Sequence, residues 1–252
     1  MPNSKWIGMR LGDATRDVRQ ADRRHCHDEV EYVGERRLPV RVWDAPTRLF
    51  HWAIVVLLCI SWLTESRGWM ALHFLAGYSV IALLLFRVSW GFVGSDTARF
   101  RHFVKSPLAA LQHLALLHRR EPDTEIGHNA AGGWMVLLML VLLVVQVTTG
   151  LFANDDADTE GPLFNYVSKA TSDWLSHIHA VNFTLLQIAV VAHIAAIIVY
   201  AAIKRHDLVR PMITGRKLLP DAMPPPAMVH PWRALVVFAI AAGAVALAVS
   251  RL

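Results

Sequence analysis

Histidines at matched spacing in apolar segments are the residues of this sequence best suited to chemistry. His179 and His193 lie fourteen residues apart in one apolar segment of membrane-spanning length. On an α-helix this interval is about four turns, so both imidazoles face the same way about 21 Å apart. His51 and His73 lie in two earlier apolar segments. Because imidazole is a good iron ligand and haem has two axial positions, these four residues predict two haems, each held by two histidines.

Long apolar runs must position these histidines. The chain has 252 residues, is 54% hydrophobic and has a mean hydropathy of +0.37. Several runs reach the roughly 20 residues that cross a bilayer, and several of the nine Trp stand at their ends. We therefore predict an all-α integral membrane protein, a four-helix haem-binding bundle followed by a fifth C-terminal transmembrane helix. The predicted spans are residues 49–63, 69–92, 132–152, 174–203 and 232–249.

The remaining segments complete a predicted three-part organisation. Residues 1–38 are polar, lack the apolar stretch of a signal peptide and are expected to form a cytoplasmic tail. Residues 39–219 are the predicted di-haem membrane domain, and 220–252 a Pro-rich linker with the fifth helix. The tail triplet of residues 25–27, His-Cys-His, is expected to be solvated. Cys26 and Cys59 fall in different environments, which predicts no disulfide.

Charge asymmetry predicts the orientation of the spans. Arg and Lys concentrate before span one, between spans two and three, and after span four. The loop between spans three and four is acidic, with Asp155, Asp156, Asp158, Glu160 and Asp173 at or beside it. The positive-inside rule then predicts a bacterial inner-membrane protein with a cytoplasmic N-terminus and a periplasmic C-terminus. The net charge of +5 reflects these loops rather than binding of nucleic acid.

This orientation predicts how the histidines pair. His51 and His193 fall in the cytoplasmic halves of their spans, and His73 and His179 in the outer halves. Depth therefore pairs His51 with His193 and His73 with His179. His177 is a rival for His179, but sixteen residues separate it from His193, which places the two on nearly opposite helix faces.

Two further residues are candidates for cofactor binding. Gly77 lies one turn after His73, where a missing side chain either lets a porphyrin approach or serves close helix packing. Arg87 shares the face of His73 but reaches the cytoplasmic depth. Its guanidinium either pairs with an anionic group, such as a haem propionate or a quinone head group, or extends to the cytoplasmic interface.

Several motifs resemble a known family. The segment from Val42 to Trp52, the run from Arg87 to Phe103 and the sequence from His128 to Trp134 resemble bacterial cytochrome b561 and the b-type cytochrome of nickel–iron hydrogenase. The resemblance covers about residues 40–219. It implies two b haems in a four-helix bundle, a quinone site near the cytoplasmic haem, and the same histidine pairing. The N-terminal extension and the fifth span depart from the family pattern.

The expected function is transmembrane electron transfer between the quinone pool and a redox partner at the outer face. That partner is expected to be a c-type cytochrome or a hydrogenase-like oxidoreductase subunit docking on the acidic loop. An alternative is a stand-alone quinone-linked superoxide oxidase, which the acidic loop disfavours because superoxide is an anion. A third hypothesis, a haem-free anchor, is disfavoured by the four aligned histidines. No separate catalytic residue is predicted.

Overall fold

Five helices long and apolar enough to cross a membrane dominate the computed structural model, which describes residues 37–117, 124–220 and 223–251. They are α1 (Ala45–Ser66), α2 (Met70–Val93), α5 (Ala130–Gly150), α6 (Lys169–Val199) and α8 (Pro231–Val249). The predicted fold class, an all-α membrane protein with five spans, is therefore confirmed. The predicted tail lies outside the described residues except for its last two, and so do Cys26 and its flanking histidines. Cys59 is a free, exposed thiol.

Shorter elements connect the spans. Helices α3 (Phe100–Phe103) and α4 (Pro107–Ala115) lie between α2 and α5, and α7 (Val209–Thr214) follows α6. Strands β1 (Arg37–Arg41) and β2 (Arg216–Pro220) form a two-stranded sheet. By compactness the chain divides into residues 1–39 with 218–224, and residues 40–217 with 225–252. The second unit contains every helix named here, and all sites below lie within it.

Capping residues explain why two spans begin earlier than hydropathy predicts. The side chain of Asp44 accepts a hydrogen bond from the backbone N of Thr47 at 2.7 Å, and Pro46 follows in the first turn of α1. The Ser168 hydroxyl caps α6 in the same way through the backbone N of Thr171. Hydropathy averages over these polar first turns, so it places the helix starts inside the apolar run.

The core of the second unit forms where α1, α2, α5 and α6 meet. Its buried side chains are all aliphatic: Ile54, Val80, Leu84, Leu140, Leu143 and Leu186. Leu186 stands seven residues from both His179 and His193 on α6. Many outward apolar side chains of the spans are exposed, such as Leu49 and Val191, as expected of helices that face lipid.

The two ends of this unit carry opposite charge. The acidic end comprises the α1–α2 connection, residues 67–69, and the α5–α6 connection, residues 151–168. The basic end comprises the start of α1 with residues 94–117, 124–129 and 205–217. Its segments are joined by hydrogen bonds from the backbone N of Val42 to the carbonyl of Gly215 (2.9 Å) and from Lys217 Nζ to the carbonyl of Glu125 (2.9 Å).

Candidate functional site

The structure brings two of the four candidate histidines together at the basic end. His51 on α1 and His193 on α6 have ring centres 6.4 Å apart, with their planes inclined by 56°. Both side chains are half-buried. The Nδ1 atom of His51 is buried and has no hydrogen-bond partner. Two imidazoles at this separation face one another across a gap without being hydrogen-bonded directly.

The other two histidines share one cavity at the acidic end. His73 on α2 and His179 on α6 both line a cavity of about 750 Å³. Ligand cavities in proteins span about 300–1,000 Å³, so this one has room for a large cofactor. Its lining also includes the carboxylates of Glu65, Asp155 and Asp158. His177, the rival of His179, is exposed and is not in the lining.

Hydrogen bonds fix the tautomers of the acidic-end imidazoles. His73 Nδ1 donates to the carbonyl of Ser61 (2.9 Å), and His179 Nδ1 donates to the carbonyl of Gln146 (3.0 Å). Since a carbonyl can only accept, both rings carry their proton on Nδ1 and present the Nε2 lone pair. This arrangement is typical of histidines that ligate a metal through Nε2.

Gln146 holds His179 from a second side. Its side-chain amide donates to His179 Nε2 (3.0 Å), and its Oε1 accepts from Asn182 Nδ2 (2.6 Å). The Thr149 hydroxyl lies 3.3 Å from His179 Nδ1. Gln146 and Thr149 of α5 thus make hydrogen bonds to His179 of α6, from one span to another. The role of Asn182 was not predicted, although it lies one turn after His179 on the same face.

Two glycines in the cavity lining have different surroundings. A Cβ added to Gly77 would meet nothing within 4 Å. Gly77 therefore borders open space in the cavity and does not stand at a close helix contact. A Cβ added to Gly150 would lie 2.8 Å from Cε1 of His179. Gly150, which the sequence analysis did not single out, is therefore required for the position of the His179 ring.

Arg87 is enclosed by the protein and does not extend to the interface. It is only 2% exposed, and its Nη1 donates to the carbonyl of Ala98 at 3.3 Å. Its guanidinium carbon lies 5.1, 5.9 and 6.0 Å from the ring centres of Phe100, Phe103 and Phe50. Aromatic faces attract cations, and they surround this one in an apolar setting. The sequence predicted the depth of Arg87 but not this enclosure.

His128 is a further histidine at the basic end. Its ring packs on Trp43 (4.6 Å between centres) and on Phe103 (4.8 Å), and its Nδ1 is buried without a hydrogen-bond partner. Burial, and then the charge of Arg87, lowers the pKa of His128 to about 3. Gly127 turns the chain here with φ +90°, where a Cβ would stand 3.3 Å from Thr97.

Unpaired polar atoms concentrate at this end. In the residues that the structure describes, the buried side-chain nitrogen and oxygen atoms without a partner are Thr47 Oγ1, Arg48 Nε, His51 Nδ1, Thr97 Oγ1 and His128 Nδ1. Every one of them belongs to the basic end, and every one can donate a hydrogen bond. Buried polar groups are rarely left unpaired, so this concentration indicates a place where an acceptor binds.

A polar network that the sequence analysis missed lies beside His128. Asn129 caps α5 through the backbone N of Gly132, and its Nδ2 donates to the Tyr200 hydroxyl at 2.8 Å. That hydroxyl lies 2.6 Å from His113 Nε2 on α4. Tyr200 begins a π-helical turn, Tyr200–Lys204, that extends α6. Irregular turns of this kind are common at functional sites, but hydropathy does not reveal them.

Comparison with known proteins identifies a family and several relatives. Residues 42–215 match the family model described as prokaryotic cytochrome b561. The chain is similar to three proteins that are each named a probable Ni/Fe-hydrogenase B-type cytochrome subunit. That of Bradyrhizobium diazoefficiens is 25% identical over 75% of this chain and 91% of its own length. The Rhodobacter capsulatus protein is 25% identical (87% and 93%), and the Azotobacter vinelandii protein is 26% identical (75% and 92%). No solved structure matches.

Gly150→Ala should displace the His179 ring, whereas Gly77→Ala has room for its methyl group. Overpacking a tight contact costs about 1–3 kcal/mol, so we expect the Gly150 variant to unfold at a lower temperature in detergent. The Gly77 variant is the matched control; when both variants are compared as haem-free protein, it should keep or slightly raise the unfolding temperature, because alanine favours a helix over glycine by about 1 kcal/mol. Equal unfolding temperatures for both variants would contradict the close contact at Gly150.

His128→Gln should make the protein less sensitive to acid. The pKa of His128 is about 3 in the folded protein and 6.5 as the reference value. As the pH falls below about 6.5, His128 binds a proton in the unfolded chain but stays neutral in the folded protein. The stability that this residue contributes above about pH 6.5 is therefore lost towards pH 3. Unfolding temperatures measured from pH 7 to pH 4 should therefore fall less steeply in the variant. Parallel profiles would exclude a buried neutral imidazole at this position.

Proposed function

We propose that this chain, a member of the prokaryotic cytochrome b561 family, holds two haems, one at each end of the bundle. Its family makes it a multi-pass bacterial membrane protein that binds haem b and transfers electrons. His51 and His193 would hold the haem at the basic end, and His73 and His179 the haem at the acidic end. Electrons would pass between these sites, which the rise of α6 separates by about 21 Å.

The spacing of His51 and His193 is the observation that carries this proposal. A metal–imidazole bond is about 2 Å long and the ring centre lies roughly 1 Å beyond the nitrogen, so two rings on opposite sides of one metal have centres about 6 Å apart. The centres of these rings are 6.4 Å apart. No group of three or more His, Cys, Asp or Glu side chains among the described residues could hold a bare metal ion. The iron of haem already has the porphyrin as a ligand and would need only two ligands from the protein, so haem fits this pair of histidines.

Different observations support the acidic-end site. The cavity of about 750 Å³ is bordered by both histidines and by the open face of Gly77. The imidazoles of His73 and His179 carry their protons on Nδ1, which leaves Nε2 for the metal. His179 Nε2 now accepts from Gln146, so this amide must turn aside when the metal is bound. Gly77 and the two histidines are the residues we assign to this haem.

At the basic end the chain's own residues supply charge and hydrogen bonds. Haem, when bound, supplies the one-electron chemistry. Arg87 is the cation we assign to an anionic group of the cofactor, and the unpaired donors of His51 and His128 are available to acceptors. The aromatic enclosure of Arg87 excludes water, which strengthens any ion pair made there. Held by two histidines, the haem would serve electron transfer rather than binding of a further ligand.

We place the quinone site at the basic end, near His128. A second cavity of about 150 Å³ is bordered by His128, Thr97 and Phe103. The Asn129–Tyr200–His113 network lies next along the chain and offers hydrogen-bonding groups to quinone carbonyls. The positive-inside rule puts this basic end in the cytoplasm and the acidic loop in the periplasm of an inner-membrane protein.

We propose that the redox partner docks at the acidic end. The relatives are named as cytochrome subunits of hydrogenases, which favours a hydrogenase-like oxidoreductase subunit; a basic c-type cytochrome fits the same surface. Several hydrogen bonds hold the loop to α6, among them Ser172 Oγ to the carbonyl of Phe152 (2.6 Å) and Asn154 N to Ser176 Oγ (2.8 Å). The carboxylates of Asp155 and Asp158 are thus presented on an ordered surface. They would repel superoxide, which weighs against the superoxide-oxidase alternative.

Haem stoichiometry tests the central proposal. Purified protein should contain two haems b per chain, measured as the pyridine haemochrome against protein mass. His73→Ala and His51→Ala should each lower the ratio to one, because each removes one axial ligand of a different haem. The two variants should retain haems with different midpoint potentials. His193→Ala should also abolish reduction of the protein by quinol.

His177→Ala is the matched control for His179→Ala, since His177 stands on the same helix with an exposed side chain. The His177→Ala protein should keep both haems, and the His179→Ala protein should keep only one. One haem per chain in the unchanged protein would refute the two-haem proposal. Loss of the acidic-end haem in His193→Ala, with the basic-end haem retained, would refute the pairing.

Reversing charge on the acidic loop tests the docking surface. Asp155→Lys with Asp158→Lys should slow electron transfer to a basic c-type cytochrome at least tenfold at low ionic strength, and the difference should shrink as salt screens the charges. Reduction by dithionite, a small anionic donor, should not slow. Equal rates with the cytochrome at every salt concentration would exclude docking at this loop.

A further inference from the structure

The fifth span packs on the bundle although it lies outside the residues that the family model matches. Ala234 and Ala241 of α8 are buried and form a second core with Phe86, Trp90 and Ala98. The Phe238 ring meets the Phe86 ring edge to face at 6.0 Å. Small side chains at these positions let α8 approach α2 closely. An anchor that only held the chain in lipid would not need such a fitted face.

Polar contacts also fasten the segment that leads into α8. Ala227 N donates to Asp96 Oδ2 (2.9 Å), and Asp96 N donates to the Ala227 carbonyl (3.1 Å). Val229 N donates to Ser95 Oγ at 3.0 Å. These bonds tie the start of α8 to the turn after α2, directly beside the part of α2 that carries Trp90. These bonds therefore fix the position of the start of α8 relative to the end of α2.

Trp90 connects this face to the basic end. Its side chain is completely buried, stacks on Phe86 at 5.8 Å and donates from Nε1 to Asp44 Oδ2 at 3.0 Å. The other oxygen, Oδ1, accepts from the backbone N of Thr47 and so caps α1. The Asp44 carboxylate, itself buried, attracts Arg87 electrostatically. Contacts thus run from α8 through Trp90 to Asp44, and the negative charge of Asp44 acts on Arg87 from there.

We propose that α8 is a positioning element: by packing on Trp90 it holds the Asp44 carboxylate where it offsets the charge of Arg87 at the basic-end haem. The proposal rests on the two-haem function above. Trp90 and Asp44 are positioning residues, since they act on the site through Arg87. A negative charge near a haem disfavours its reduction, so a well-held Asp44 keeps the midpoint potential of this haem low.

Substitutions at each step of the contact chain test the proposal in the full-length protein. Asp44→Asn removes the charge and keeps the helix cap through its one oxygen, because asparagine caps as well as aspartate, but its NH2 group can no longer accept from Trp90 Nε1. It should raise the midpoint potential of the basic-end haem and leave the acidic-end haem unchanged. Trp90→Phe keeps an aromatic side chain but removes the indole N–H and part of the buried ring. It should shift the same potential in the same direction by less, because the carboxylate is then held less closely.

Ala234→Leu should act like Trp90→Phe, because the larger side chain displaces the indole. Ala239→Leu is the matched control on the exposed face of α8 and should change neither potential. Ala234→Val provides a smaller enlargement if leucine prevents folding. Potentials come from spectroelectrochemical titration in detergent, with the basic-end haem identified in the His73→Ala background.

Amide hydrogen exchange gives a second readout that needs no haem. A loosened Asp44 caps α1 less firmly, so exchange in residues 45–48 should be faster in Trp90→Phe and Ala234→Leu, and unchanged in Ala239→Leu. If Ala234→Leu matches its control in both potential and exchange, α8 is only an anchor and the proposal fails. If the unchanged protein lacks a basic-end haem, the two-haem function fails, and exchange alone decides the role of α8.

Discussion

Polar side chains inside an apolar bundle need partners, and this requirement governs the whole structure. Burying an unpaired imidazole or guanidinium in hydrocarbon is costly, so each one must find hydrogen bonds, a metal or an aromatic enclosure. His179 is held from both ring nitrogens, and Arg87 is surrounded by phenylalanine rings. The aliphatic core around Leu186 separates the two levels and contributes no polar group.

The two ends meet this requirement in different ways. At the acidic end the imidazoles of His73 and His179 are already hydrogen-bonded and border a large cavity. At the basic end His51 and His193 already face one another, while donors such as His128 Nδ1 have no acceptor. The acidic end thus has a large open cavity, and the basic end has buried hydrogen-bonding atoms without a partner among the described residues. Electron transfer in a membrane has use for two such sites, because different surroundings give different potentials.

Periodicity and hydropathy were sufficient to predict the five spans, because long apolar helices have a strong pattern. Helical spacing also distinguished His179 from His177, which the structure places in the cavity lining and on the exposed surface respectively. Partners of Arg87 could not be predicted, because Phe50 comes from α1 while Phe100 and Phe103 come from α3, and Arg87 itself is on α2. Asn129 and Tyr200 are 71 residues apart, and only the folded chain brings them together. Local patterns predict which residues share a helix face, but not which face a distant segment covers.

The hydrogen bond between Gln146 and His179 Nε2 has a consequence for assembly. In a newly inserted chain the Gln146 amide can donate a hydrogen bond to this imidazole nitrogen until a metal competes for the same lone pair. If the proposed haem binds at the acidic end, its iron would replace the Gln146 amide at a ring whose orientation the Nδ1 hydrogen bond already sets.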